Sequence, residues 1–372
     1  MSLLFSPVTY RGLTLKNRVL VAPMCQYSAR HGLATDYHLV HYGRFALGGF
    51  GLVIVEASAV TPEGRISYGD MGIWDDAQVV PLKRIADFLR RHGAAAGIQL
   101  AHAGRKASAP VPWRGTFNET DAERQALGFE SWTPVAPSAE RHMASYQMPE
   151  ALDEAGLARV LTGFVAAAAR AEAAGFDMIE LHSAHGYLLN QFLSPIANRR
   201  SDQYGGSLEN RMRFPLAVAR AVRDAWPRNK PAFVRISVTD WIDGGVSVDD
   251  SVIYARELKA LGYDVVHCSS GGFDGAKVPV APLYQVPLSE AVRKGAAIAT
   301  AAVGLITRPE EAEQIVARGE ADLIGLARQA LDDPNWALHA LRELDGGDTY
   351  AAWPQQSGYA VRIKDKALGR LG

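Results

Sequence analysis

Eight short apolar runs, at 19–22, 52–56, 97–101, 177–181, 232–236, 264–268, 297–303 and 322–326, recur along the 372 residues of this chain. Each is rich in Val, Ile, Leu or Ala and lacks a polar–apolar alternation. A strand with one wet face alternates. A strand covered on both faces does not, and such strands belong to parallel sheets wrapped by helices. Between the runs lie helical patterns at 80–91, 153–174, 208–225, 248–261, 309–317 and 334–344. In the first of them Leu82, Ile85, Ala86 and Leu89 form one stripe. Gly93, Gly175, Gly262 and Gly319 follow helical patterns, where a left-handed cap favours glycine. The repeat predicts an α/β fold, a (β/α)8 TIM barrel, with 1–372 as a single domain. A doubly wound open sheet is the rival, but no G-x-G-x-x-G opens a first strand–helix turn.

The segment 103–148, after the third strand, is too long for an ordinary connection. It carries Pro110, Pro112, Trp113, Trp132, Pro134 and Pro137. We expect it to cap the C-terminal face as a lid or subunit contact. The polar tail, 353–372, is expected to reach a partner chain. With a net charge of -1 the chain has no global field to attract nucleic acid or an anionic membrane. It has no run near the ~20 apolar residues of a membrane span. Two cysteines, Cys25 and Cys268, leave no disulfide framework and no cysteine-ligated iron–sulfur cluster. Residues 1–7 show no secretory pattern, so a cytoplasmic location is expected.

In a barrel, chemistry gathers where strands end and loops begin. After the first strand come Pro23, Met24, Cys25, Gln26 and Tyr27, and after the second Ala57. The third ends near Gln99 and runs into His102, Arg105 and Lys106. The fourth delivers His182, His185 and Tyr187, and the fifth holds Arg235. Gly304 follows the seventh, and Ala327 and Arg328 follow the eighth. Two neutral imidazoles can donate to one oxygen while a phenol protonates a neighbouring carbon. That suits a reaction placing negative charge on a carbonyl oxygen.

Each residue also has a plainer reading. Arg235, between Val234 and Ile236, is either half of an internal salt bridge or a clamp on a ligand that becomes negative. Gly304 and Arg328 fit the phosphate site that such barrels build after strands 7 and 8, unless Arg328 pairs with Asp332 or Asp333. Cys25 is a nucleophile, a redox-tuning thiol or a small packing residue; Cys268 reads as core. His182 and His185 could ligate zinc only with a third ligand, and neither H-x-H after the first strand nor H-E-x-x-H occurs, so no metal is expected.

These residues, in this order, resemble the Old Yellow Enzyme family of flavin-dependent ene-reductases. The match is nearest to its bacterial thermophilic-like branch, which has a cysteine after the first strand. The markers span nearly the whole chain: Leu15-Lys16-Asn17-Arg18, Ala22-Pro23-Met24-Cys25, Ile54-Val55-Glu56-Ala57, the run 97–106, the run His182 to Tyr187, and 198–211. The resemblance implies non-covalent FMN held by Ala22, Pro23, Met24, Cys25, Ala57, Gln99, His182, Arg235, Gly304, Ala327 and Arg328. Arg235 would face the N1/O2 edge of the ring and Gln99 the pyrimidine edge. His182 and His185 would grip the carbonyl oxygen of an α,β-unsaturated substrate, with Tyr187 protonating its α-carbon. Cys25, Tyr27 and Lys106 would line the substrate site, and NADPH would supply hydride. Arg362 would enter the neighbouring subunit's site, implying a homodimer or homotetramer. Ala327 stands where the family usually has glycine, a difference FMN binding is expected to survive.

Overall fold

The computed structural model describes residues 2–114 and 131–371. Eight parallel strands close a barrel. They are β1 (Val19–Val21), β2 (Leu52–Ala59), β3 (Ala95–Ala101), β4 (Met178–Ser183), β5 (Ala232–Ser237), β6 (Val265–Ser269), β7 (Ala299–Ala302) and β8 (Leu323–Leu326). Leu326 of β8 lies opposite Val21 of β1, and that pairing rules out the open sheet. The expected (β/α)8 barrel is therefore the fold. Eight helices alternate with the strands: α1 (Asp36–Leu47), α2 (Val79–Arg91), α3 (Glu154–Ala173), α4 (Leu208–Ala225), α5 (Val248–Ala260), α6 (Val286–Ala296), α7 (Pro309–Ala317) and α8 (Trp336–Asp345). A further helix, α9 (Gln355–Ala367), forms most of the tail, and short helical turns run over Leu188–Leu193 and Arg328–Asp332.

The period of two along each strand explains the missing alternation. Leu20, Leu52, Ile54, Met178, Phe233 and Val265 fill the barrel interior. Their neighbours Val19, Val53, Ile179, Val234 and Val266 pack outward in the larger cluster shared with the helices. Both faces are apolar because both are dry. A hairpin of Val8–Tyr10 and Leu13–Leu15 joins the interior cluster through Leu15, and Tyr10 sets its ring edge-on to Phe233 at 5.7 Å.

The structure differs from the sequence pattern in four places. Helix α1 buries His38, His41, Tyr42 and Phe45, so its inner face is aromatic and lacks an aliphatic stripe. Helix α6 was not legible either. It ends on Ala297 at φ +50°, a left-handed cap without the usual glycine, and β7 accordingly starts at Ala299, two residues after the expected 297. The tail folds as a helix, tied by Arg342 and the Tyr350 hydroxyl to the buried carboxylate of Asp365. Of the segment 103–148, residues 115–130 lie outside the described residues. The remainder contributes turns at Gly104–Lys106 and Pro112–Arg114, and Val135–Ala136, which pairs with Glu150–Ala151. Among the described residues, no helix is long and apolar enough to cross a membrane.

Candidate active site

At the C-terminal ends of the strands the inward positions turn polar. Met178 points into the apolar interior, and two and four residues on, Glu180 and His182 occupy the same face. Phe233 is likewise followed by Arg235, and Val265 by His267. Register sets His182 and His267 on either side of Arg235. Glu180 has no solvent exposure and accepts from Gln99 Nε2 at 2.7 Å and from His267 Nδ1 at 2.8 Å. Gln99 is thereby oriented, its carbonyl oxygen left for an outside donor. Glu180 and His267 were missed as site residues. The signal was present: each is a polar residue in an apolar strand, as Arg235 is.

Arg235 is 7% exposed, yet among the described residues its only hydrogen bond runs from Nη1 to the Pro23 carbonyl at 3.4 Å, and Nε has none. Burial lowers its pKa, opposed first by Glu180. A buried guanidinium this poorly satisfied costs several kcal/mol unless a ligand supplies electron density. Beside it opens a cavity of about 370 Å³, lined by Arg235, Tyr284, Gly304, Leu305, Ala327 and Arg328. That is ligand-sized. Arg328 is exposed at its rim and forms no ion pair with Asp332 or Asp333. Ala327 sits at φ -112°, so no glycine is needed there.

The three residues after β4 converge. The His182 ring centroid lies 5.2 Å from that of His185 and 4.9 Å from that of Tyr187, both nearly perpendicular. His182 Nε2 and His185 Nδ1 face each other at 3.4 Å. His185 adopts φ +59°, which a non-glycine residue rarely holds. Its loop is clamped: His185 N–H donates to Ser237 Oγ at 2.8 Å, and Lys106 Nζ donates to the carbonyls of His185 at 2.9 Å and Gly272 at 3.0 Å. A Cβ on Gly272 would lie 2.0 Å from the His185 carbonyl carbon, so only glycine permits this approach. Desolvation, then the Arg235 charge, holds both imidazoles well below the usual histidine range, so they are neutral donors. Burial pushes the Tyr187 phenol up, so it keeps its proton.

The loop after β1 brings Cys25 and Tyr27 to the same mouth. Desolvation, Asp70 and Glu56 push the Cys25 thiol well up, which argues against a thiolate nucleophile. Tyr27 sits at φ +50° with its ring edge-on to Trp113 at 5.8 Å. Tyr187 and Asp70 share the lining of a small adjoining cavity. Arg362 is not brought to this mouth. It lies exposed on α9, paired with Asp348 at 2.6 Å. Among the described residues, no group of three His, Cys, Asp or Glu side chains could hold a metal ion.

Glu56 anchors the Cys25 loop by accepting the Gln26 N–H at 3.0 Å, and it accepts the Tyr42 hydroxyl at 2.5 Å. Desolvation raises its pKa from 4.5 to about 8. Between those values the folded chain binds more protons than the unfolded chain. Stability therefore falls as pH rises through this window and levels off above it. Glu56→Gln cannot ionise. It is expected to recover about 1–3 kcal/mol of the stability that the parent loses between pH 6 and pH 9. Urea unfolding at the two pH values measures it, and equal losses in variant and parent would reject the argument.

A buried cation left for a ligand to satisfy, with neutral donors and a phenol beside it, marks a barrel enzyme that works through a bound, charge-accepting group. The model of the NADH:flavin oxidoreductase / NADH oxidase family matches residues 3–345. This chain belongs to that family, the Old Yellow Enzyme family, and is an NADPH-dependent flavin oxidoreductase. It is 45% identical to an NADPH dehydrogenase of Geobacillus sp. (strain WCH70), over 94% of this chain and 96% of the relative. An NADPH dehydrogenase of Listeria innocua serovar 6a is also 45% identical, over 96% and 99%. Among solved structures, morphinone reductase superimposes with a TM-score of 0.76 at 27% identity, covering 91% of this chain and 89% of that one. The old yellow enzyme homologue from Zymomonas mobilis does so at 0.74 and 26%, covering 96% and 98%.

Proposed function

We propose that this chain is an FMN-dependent ene-reductase acting on α,β-unsaturated ketones, aldehydes, imides and similar acceptors. The observation that carries the reading is the convergence of His182 Nε2 and His185 Nδ1, 3.4 Å apart, beside the Tyr187 phenol. The residues fit FMN. Arg235, without a good partner, suits an electron-rich ring edge, Gln99 an N–H, and Gly304 and Arg328 a phosphate at the cavity rim. Ala22, Pro23, Met24, Cys25 and Ala57 would frame the ring.

Bound FMN would take a hydride equivalent from NADPH and pass it to the substrate's β-carbon. The protein's part is the other end of the substrate. His182 and His185 hold its carbonyl oxygen with two N–H donors and stabilise the charge that develops there. Their neutrality matters, because an imidazolium would protonate that oxygen, whereas a neutral donor stabilises it without transfer. Tyr187 holds its proton until the α-carbon becomes basic. Cys25 and Tyr27 shape the mouth. Lys106 acts through the two loop carbonyls it binds.

A homodimer or homotetramer is also part of this reading. The exposed face of α9 carries Tyr359 and Ile363 beside Arg362, an apolar surface suited to a second copy. The test of the whole reading is the visible spectrum of purified protein, followed anaerobically. NADPH is expected to bleach a flavin spectrum and 2-cyclohexenone to restore it. A protein that FMN cannot colour would overturn the reading, and a bleached protein left unoxidised by the enone would remove its substrate class.

A further inference from the structure

The grip on the carbonyl oxygen needs two N–H donors, but a neutral imidazole has only one proton. Which nitrogen carries it is set by what the other nitrogen meets. For His182 the backbone decides. Ala184 N–H donates to Nδ1 at 3.2 Å, so the proton sits on Nε2 and points toward His185. For His185 the deciding group is a side chain. Ser269, buried at the end of β6, has its Oγ 2.7 Å from His185 Nε2.

The serine hydroxyl can donate either to His185 or to Gln285. Gln285 Oε1 is 3.4 Å away and already accepts from Ser270 Oγ at 2.7 Å, while its amide nitrogen is held on the Val303 carbonyl at 3.1 Å. The contact with His185 Nε2, at 2.7 Å, is the shorter by far, and the hydroxyl donates there when that nitrogen carries no proton. When Nε2 accepts, the His185 proton must lie on Nδ1. The two histidines then aim N–H groups at one point. The 3.4 Å gap between His182 Nε2 and His185 Nδ1 is long for a direct hydrogen bond and suits two donors awaiting a common oxygen.

We propose that Ser269 is a positioning residue that fixes His185 as the Nδ1–H tautomer and so creates the second donor of the oxygen grip. The proposal rests on the ene-reductase reading for its substrate, though its main readout does not need turnover.

The holoenzyme is titrated with 4-hydroxybenzaldehyde, a phenol whose oxygen stands in for the charged substrate oxygen. Because Ser269 also lines the cavity assigned to FMN, binding is measured on protein saturated with FMN. Ser269→Ala is expected to weaken phenol binding about tenfold, with the melting temperature as in the parent. Ser269→Thr keeps the hydroxyl and should restore binding. In His185→Asn the amide donates without a tautomer choice, so adding Ser269→Ala should then change nothing. Imidazole ¹⁵N shifts read the tautomer directly: Nδ1–H in the parent, a mixture in Ser269→Ala. Unchanged phenol affinity in Ser269→Ala, or an equal loss in the His185→Asn background, would overturn the proposal. Failure of 2-cyclohexenone to reoxidise the parent enzyme would count against the ene-reductase reading alone.

Discussion

Replacing Tyr187 with Phe is expected to slow reoxidation of the reduced enzyme by 2-cyclohexenone by roughly 10²–10⁴-fold, the usual worth of a positioned general acid. FMN should remain bound and its reduction by NADPH should proceed. The variant keeps the ring that stands edge-on to His182 at 4.9 Å and under Lys106 Nζ at 4.9 Å, and loses only the hydroxyl. Packing is therefore preserved and the proton is removed. Burial holds the phenol above its ordinary pKa, so the donor stays loaded through neutral pH and the parent's rate should show no step from Tyr187 there. Stopped-flow measurement of the two half-reactions separates the cases. An unchanged enone rate in Tyr187→Phe would take the donor role from this residue, while a loss confined to NADPH reduction would indicate a disturbed flavin site.

Arg235→Met should raise the dissociation constant for FMN at least 100-fold, about 3 kcal/mol, with the apoprotein still folded. The reason lies in an imbalance of the ligand-free site. The guanidinium is buried among β4, β5 and β6 with one long hydrogen bond and an unpartnered Nε. Methionine fills similar volume without a charge to desolvate. Glu180 keeps its two donors, Gln99 and His267, so the variant strands no carboxylate. The barrel thus loses little, while the cofactor loses the cation that would balance its electron-rich edge. Fluorescence titration of apoprotein with FMN gives the constant, and circular dichroism of the apoprotein checks the fold. Unchanged affinity would remove Arg235 from the flavin-binding role.

The eight strands were readable because each is buried on both faces, which forces an apolar run whatever its neighbours are. The helices were readable where an aliphatic stripe faces the barrel, as in α2 and α4. They were hidden where aromatic and histidine side chains do that work, as in α1, or where a left-handed cap falls on Ala297. His182, His185, Tyr187 and Arg235 stood out because polar groups at the end of, or inside, an apolar strand are costly. The same rule would have found Glu180 and His267.

Taken alone, the order of residues determined the barrel and its family and pointed to the strand ends proposed to carry chemistry, since these follow from local burial pattern and motif order. It could not determine the relations between strands. That Ser269 of β6 reaches His185 after β4, that Lys106 after β3 ties that loop to Gly272, and that Arg235 lacks a good partner are facts of closure. They arise because a closed parallel sheet brings together positions tens to more than a hundred residues apart, and hydrogen-bond satisfaction is settled only once those positions meet.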